Sequence, residues 1–176
     1  MKRNWLVSLL VALTVVVGGA SLTSVAEAGR LKAKVFLVQA RVPNGGTEKG
    51  LIAFAQRNRA KILRETHEKE LKERSWVAQL IVAFNAPVND TEFQVLFYDI
   101  HDGPRRFVND MSIMVMDRKQ KTFVQKVTLP RPNFKPNRNM EMVVTVRRAE
   151  VARLKFAVVG EEAKRSGEVS FSDSER

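Results

Sequence analysis

The sequence predicts a mainly β protein, an antiparallel β-sandwich that carries one α-helix after its first strand. Three observations support this fold class. Short apolar and β-branched runs recur from residue 75 onward, and turn residues separate them at a spacing of roughly 8 to 12 residues. One segment after residue 46 has helical periodicity instead. The 176 residues include no cysteine, so the fold is expected to be stable without disulfides.

The first 28 residues have the pattern of an export signal. Lys2 and Arg3 give a positive start, an apolar run follows, and Ala26-Glu27-Ala28 offers small residues to a signal peptidase. The general secretion route is therefore predicted to deliver a chain that begins at Gly29 to the periplasm or the outside of the cell. An uncleaved signal anchor is the alternative, because residues 4–26 are uncharged and long enough to span a bilayer.

An N-terminal strand and loop are predicted at residues 29–46, and a helix packed on the domain at residues 47–74. The strand ends at Pro43-Asn44-Gly45-Gly46, and Thr47 is a suitable helix N-cap. Leu51, Phe54 and their apolar neighbours give the first half a core-facing stripe. Opposite charges four residues apart, such as Glu65 and Lys69, favour a solvated second half.

The sandwich is assigned to residues 75–172, with a polar tail at 173–176. Residues 76–84 are apolar on both faces, so this strand is predicted to be central. Further strands are predicted at residues 92–100, 107–116, 122–129, on either side of a turn at 147–150, and at 168–171. The pattern resembles an immunoglobulin-like sandwich without the paired cysteines of antibody domains.

The charge of the chain predicts an anionic partner. The formal net charge is +11, and it would be +10 once residues 1–28, with Lys2, Arg3 and Glu27, are removed. An acidic protein surface or an anionic envelope polymer or lipid fits this charge. Nucleic acid is disfavoured, because Tyr98 is the only tyrosine available for stacking and the chain is predicted to be exported. Membrane contact is expected only at the periphery or through the signal anchor.

The segment from Pro130 to Arg138 is the main predicted partner-binding surface. Its three prolines favour an extended backbone, and Arg131, Lys135 and Arg138 would present charge around Phe134 as an anchor. Arg147 and Arg148 extend the prediction to the next basic turn. Two alternatives stay open: a crossover between the sheets with Phe134 turned into the core, and turn charges that only keep the protein soluble.

Metal binding has weak support in the sequence, and neither a metal nor any other cofactor is predicted. Asp99 and His101 lie two residues apart on one predicted strand face, but a third ligand is not evident. Two methionine pairs could bind Cu(I), although methionine more often fills core gaps. The pairs are Met114 with Met116 and Met140 with Met142.

No catalytic motif is present, so the protein is predicted not to be an enzyme. The prediction is a non-catalytic exported binding protein or structural adaptor of the bacterial envelope. One alternative is a periplasmic carrier or sensor of a small ligand or metal ion. The other is a hydrolase whose carboxylates meet only in the fold, with Glu92, Asp99, Asp102 and Asp110 as candidates.

Overall fold

The computed structural model describes residues 31–43, 45 and 47–162. The predicted export signal and the strand predicted at 168–171 lie outside these residues. Within the described part, no helix is long and apolar enough to cross a membrane. It contains one helix and eight strands: β1 (Ala33–Val38), α1 (Glu48–Arg57), β2 (Ile62–Arg64), β3 (Ser75–Phe84), β4 (Glu92–Asp99), β5 (Arg106–Met114), β6 (Thr122–Pro130), β7 (Arg138–Val146) and β8 (Ala149–Val159).

The strands form two sheets, and this confirms the predicted sandwich. One sheet has the order β1-β3-β6, and the other has the order β2-β8-β7-β4-β5. Every pairing is antiparallel except that of β2 with β8. As predicted, β3 is central, with β1 on one side and β6 on the other.

The order of the strands is immunoglobulin-like. If β2 is left out and the other seven strands are renumbered 1 to 7 along the chain, the strand order is 1-2-5 in one sheet and 7-6-3-4 in the other. The constant-type immunoglobulin fold also has strands 1, 2 and 5 in one sheet and strands 3, 6 and 7 in the other, but its fourth strand pairs with the fifth. Here that strand, β5, pairs with the third, β4.

The main core lies between the two sheets. Alternate residues of β3, from Trp76 to Phe84, face it, and so do Met140 and Met142 of β7. Phe84, Phe93 and Phe123 pack edge to face with ring centroids 5.1 to 5.8 Å apart. Aromatic rings arranged in this way add to the stability gained from burial alone.

Helix α1 packs on the outer face of the three-stranded sheet. Ala55 is buried against Phe36, Val38 and Ile81, which point away from the main core. The Thr47 hydroxyl accepts a hydrogen bond from the backbone N–H of Gly50 at 3.2 Å and caps the helix as predicted. The outer side of β1 and β3 is therefore partly covered.

The helix ends at Arg57, so its predicted extension to residue 74 is wrong. Leu63, in β2, is fully buried in the main core, because β2 pairs with β8. Each opposite-charge pair on a helix surface is worth only about 0.2 to 0.5 kcal/mol, whereas burying a leucine is worth about 1.5 to 3 kcal/mol. Tertiary packing therefore outweighs the local helical preference.

Candidate functional site

The structure places the predicted partner-binding residues at two ends of the sandwich. The crossover from β6 to β7, together with the start of β7, holds Arg131, Phe134, Lys135 and Arg138. The turn from β7 to β8, at the other end of the same strand, holds Arg147 and Arg148. An extended strand of nine residues separates the two groups by about 30 Å. They are therefore two separate surfaces.

Phe134 is not the exposed anchor that the sequence analysis proposed. Its side chain is 1% exposed, and its ring packs edge to face on Phe97 with centroids 5.8 Å apart. Its backbone N–H donates to the carbonyl of Pro130 at 3.1 Å, which turns the crossover across the end of the sandwich. The alternative interpretation, a crossover with Phe134 in the core, is correct. Burial of a phenylalanine side chain stabilises a fold by about 1.5 to 3 kcal/mol.

Arg131 lies in a largely buried ion pair. Its Nε donates to Glu65 Oε1 at 2.5 Å, and the two side chains are 10% and 6% exposed. Its Nη2 donates to the carbonyl of Glu161 at 2.5 Å, and its guanidinium lies 5.5 Å from the centre of the Trp76 ring. This guanidinium has partners within the fold, so its position indicates a structural role.

Arg138 pairs with Asp102, a candidate hydrolase acid, and lies near Asp99, a candidate metal ligand. Its Nη1 donates to Asp102 Oδ2 at 2.5 Å, and its Nε lies 3.9 Å from Asp99 Oδ2. The hydrogen bond with Asp102 raises the pKa of Arg138, and the same contact lowers the pKa of the Asp102 carboxyl. A metal ion bound by Asp99 or Asp102 would be repelled by the positive charge of the Arg138 guanidinium.

Within the described residues, the pair Asp99 and His101 gains no third ligand. Asp99 Oδ1 accepts the backbone N–H of His101 at 2.8 Å, which forms a local turn. Among the residues that the structure describes, no group of three or more histidine or acidic side chains could hold a metal ion.

Lys135 and Arg148 are the predicted site residues that remain at the surface without an ion pair in the described part of the chain. Arg147 is exposed too, but its Nε donates to Asp90 Oδ2 at 3.1 Å. The pKa of Asp90 is lowered, first by the backbone N–H of Thr91 and then by Arg147. Arg147 and Arg148 both have positive φ angles, of 50° and 66°.

The fold does not bring the two methionine pairs together, and of the four candidate acids it places Asp99 and Asp102 beside one guanidinium, that of Arg138. Met140 and Met142 are in the main core, whereas Met114 and Met116 are exposed at the end of β5. Glu92 and Asp99 lie at opposite ends of β4, about 23 Å apart.

A groove between α1 and the outer face of the three-stranded sheet was not predicted. It encloses about 750 Å³ and is lined by Arg41, Val42, Pro43, Gly45, Gly50, Leu51, Phe54, Arg57, Gln79 and Val124. We call it the α1–β6 groove. Leu51, Phe54 and Arg57 come from one side of the helix, while Val124 of β6 is 42% exposed opposite them. The volume is in the range of ligand-binding pockets.

The α1–β6 groove combines apolar walls with positive charge. Arg41 approaches from the loop after β1 and Arg57 from the last turn of α1. None of the described lining residues is acidic, and neither arginine has an ion pair within the described part of the chain. The groove is therefore suited to an anionic group attached to an apolar body.

The groove could not be recognised from the sequence because four distant segments form it. The helical stripe that includes Leu51 and Phe54 was interpreted as core-facing. Leu51 and Phe54 do pack against the cluster around Ala55, but they are only partly buried there and also form the groove wall. The one indication in the sequence is Arg57, a charged residue that follows Leu51 and Phe54 at helical spacing and therefore lies on the same side of the helix.

The outer face of the five-stranded sheet contains a buried carboxylate that the sequence analysis also missed. Glu141 of β7 is 2% exposed, and Arg105 Nε lies 2.5 Å from its Oε2. The guanidinium of Arg105 lies 5.7 Å from the centre of the Tyr98 ring. This acid has a cationic partner, so it is not a free reactive group.

Comparisons with known proteins add a structural likeness only. No protein-family profile matches the chain, and no curated protein sequence matches it. Among solved structures, the chain is similar to a crystal structure described as an immunoglobulin-like protein from Pseudomonas aeruginosa. The TM-score is 0.41 and the sequence identity is 10%, and the match covers 73% of this chain and 96% of that chain.

Proposed function

We propose that this protein is a non-catalytic binding protein or adaptor of the bacterial envelope, and that the α1–β6 groove is its binding site. The occupant that we propose is an acidic, partly apolar segment of a partner protein. The observation that carries this proposal is the apolar groove with two arginines and no acid among its described lining residues.

Each part of the groove favours such an occupant. Burial of apolar surface from the partner against Phe54 and Val124 would contribute about 25 cal/mol per Å². Carboxylates can form paired hydrogen bonds with guanidinium groups such as those of Arg41 and Arg57. The net charge of +11 would also attract an acidic partner over long range at low salt.

The positions of the carboxylates support a non-catalytic role. Asp102 and Glu141 each have an arginine within 2.5 Å. Glu92 is separated from Asp99 by the length of β4, and the guanidinium of Arg138 lies beside both Asp99 and Asp102. Enzymes that use two acids place them close together in settings that separate their pKa values, and these positions do not favour such chemistry.

Envelope location rests on the export pattern of residues 1–28. N-terminal sequencing of the protein from fractionated cells tests it. We expect a periplasmic or secreted product that begins at Gly29. A product that begins at Met1 would replace this proposal with the membrane-anchored form.

A nine-residue peptide tests the groove directly. The probe is acetyl-Thr-Glu-Thr-Val-Thr-Phe-Thr-Glu-Thr-amide, and its counterpart carries lysine in place of both glutamates. Binding is measured by fluorescence anisotropy with the full chain. We expect the acidic probe to bind, and Arg41→Glu/Arg57→Glu to weaken it at least about tenfold, since each lost charged hydrogen bond is worth about 1.5 to 3 kcal/mol.

The matched control is Arg118→Glu/Lys119→Glu, which makes the same change of charge in the exposed loop after β5. It should weaken the acidic probe by no more than about threefold, through the altered long-range field alone. Equal losses in the two double variants, or equal binding of the acidic and lysine peptides, would show that the groove is not the site.

A carrier of small amphipathic anions is the second candidate, and the volume of about 750 Å³ is the observation that favours it. Titration with palmitate distinguishes the two functions. Saturable palmitate binding that Arg41→Glu/Arg57→Glu abolishes, together with no peptide binding, would support the carrier.

A further inference from the structure

The outer edge of β6 is long, regular and unpaired within the described residues. β6 contributes nine residues and, among the strands that the structure describes, pairs only with β3, on one side. The pairing of β6 with β3 has no register shift: it begins with Thr122 opposite Ala83 and ends with Pro130 opposite Ser75.

On the other side of β6, the carbonyls of Thr122 and Lys126 accept only the exposed side chains of Gln120 and Gln125, and the carbonyl of Pro130 accepts the backbone N–H of Phe134. The alternate N–H groups from Thr122 to Thr128 have no partner within the described residues, so a further strand that displaces the two glutamine side chains could pair with this edge.

The other sheet edges are less suitable for pairing. β2 has three residues, β1 has six, and β5 has a register shift against β4 between Phe97 and Tyr98. Short strands and bulges are common ways of protecting sheet edges from additional strands. β6 has neither, its single charged residue is Lys126, and its proline, Pro130, stands at its end, so residues 122–129 keep their backbone N–H groups.

The α1–β6 groove opens beside this same edge. Val124 is opposite Ile81 in the register and lines the groove, so the groove lies on the outer face of the sheet. Lys126 and Thr128 have the same side-chain parity as Val124 and are on that face too. A strand placed about 4.8 Å beyond β6 would direct every second side chain to the groove side.

We infer that the partner segment binds as an extended strand that pairs with β6 and makes the three-stranded sheet four-stranded. Backbone hydrogen bonds to β6 hold the segment, and its groove-side residues supply both apolar contacts and acids. The apolar side chains contact Val124 and Phe54, and the acids are drawn to Arg57 and Lys126. This inference rests on the proposed function and specifies the conformation of the partner.

Two N-methylated forms of the acidic nonapeptide test the pairing. In a strand, successive N–H groups point to opposite edges, so the amides of the threonines face one edge and those of the glutamates, valine and phenylalanine face the other. One form is methylated at three threonine amides, and the other at three amides of the second set. Because only one edge of the peptide contacts β6, we expect one form to bind at least about tenfold more weakly than the unmodified peptide. The affinity of the other form should stay within about threefold of that of the unmodified peptide.

Hydrogen exchange on the full chain gives a second readout. The unmodified peptide should slow exchange at about every second amide from Thr122 to Leu129, and the weakly binding methylated form should not, because those amides gain partners only in the paired complex. Arg118→Glu/Lys119→Glu should leave this protection unchanged.

The outcomes separate the two proposals. Equal binding of both methylated forms, or equal loss in both, overturns strand pairing. If Arg41→Glu/Arg57→Glu still weakens binding of the unmodified peptide in that case, the groove is supported as the binding site while strand pairing is rejected. No binding of the unmodified peptide up to about 1 mM overturns both proposals.

Discussion

Arg131 and Arg138 lie seven residues apart in one basic segment, yet burial gives them different roles. Arg131 is desolvated against Glu65 and Trp76, where a cation is tolerated only with close partners. Arg138 remains more accessible and pairs with Asp102 at the end of the sandwich. The charge of a residue is evident in the sequence, but its partners depend on which distant segments meet it.

Removal of Arg131 should strongly destabilise the fold. Arg131→Ala leaves the Glu65 carboxylate buried without its cation, so we expect the free energy of unfolding to fall by about 3 to 5 kcal/mol in urea denaturation. Arg131→Ala/Glu65→Gln should recover part of this loss because the buried negative charge is gone. Lys135→Ala, on the exposed side of the crossover, should change stability by less than about 0.5 kcal/mol. A loss below about 1 kcal/mol in Arg131→Ala would contradict the structural role.

The pair of Arg138 and Asp102 predicts a pH effect. The folded pKa of Asp102 is lowered, so its contribution to stability is present above the ordinary carboxyl pKa of about 3.9 and is lost as the pH falls through the folded value. Arg138→Gln should move the titration midpoint of Asp102 upward in a carboxyl NMR titration. The wild type and the variant should then converge in stability only below about pH 4.

Asp90 is the internal control for this titration. Its pKa is lowered chiefly by the backbone N–H of Thr91 and by Arg147, so Arg138→Gln should not move it. An unchanged midpoint of Asp102 in the variant would mean that Arg138 does not hold this carboxyl in solution.

At the scale of the elements, the turn between β7 and β8 holds its two central residues in backbone conformations that they disfavour. A two-residue hairpin of this kind needs positive φ angles at both central positions, and asparagine and glycine are the usual residues there. Arg147 and Arg148 occupy them with φ angles of 50° and 66°. Side chains with a Cβ atom are strained in this region of backbone conformation.

Arg148→Gly should therefore stabilise the protein. Relief of the left-handed conformation exceeds the added flexibility of glycine in the unfolded chain, so we expect a gain of about 0.5 to 1 kcal/mol in thermal or urea unfolding. Ala149→Gly at the start of β8 is the matched control and should lose about the same amount. Destabilisation by Arg148→Gly would show that the arginine side chain makes a stabilising contact that exceeds the strain.

Elements with a long local pattern could be predicted, and short or non-local ones could not. β3, β4 and β6 were placed within one or two residues because alternation or apolar runs continue over eight or more positions. β2 has three residues, and its partner β8 is about 95 positions away, so no local pattern indicates it. The same reason explains why Phe134 could be assigned to either the surface or the core, and why the α1–β6 groove was missed.

At the scale of the whole molecule, stability is expected to fall from the centre of the two sheets toward their edges. All seven residues of β7 from Met140 to Val146 are buried, and β3 is buried continuously from Leu80 to Phe84. By contrast, Ala55 is the buried residue of α1, and β2 has only three residues. Without disulfides, the packed centre carries most of the folding free energy.

Native-state hydrogen exchange should reveal this gradient. Amides of β3 and β7 have partners on both sides and can exchange only through near-global unfolding, so they should be the slowest. Amides of α1 and β2 should exchange faster, since local opening exposes little apolar surface. If α1 were as protected as β7, the helix and the sandwich would unfold as one unit. The walls of the α1–β6 groove would then be as rigid as the core, whereas faster exchange in α1 means that the helix wall can adjust when a partner binds.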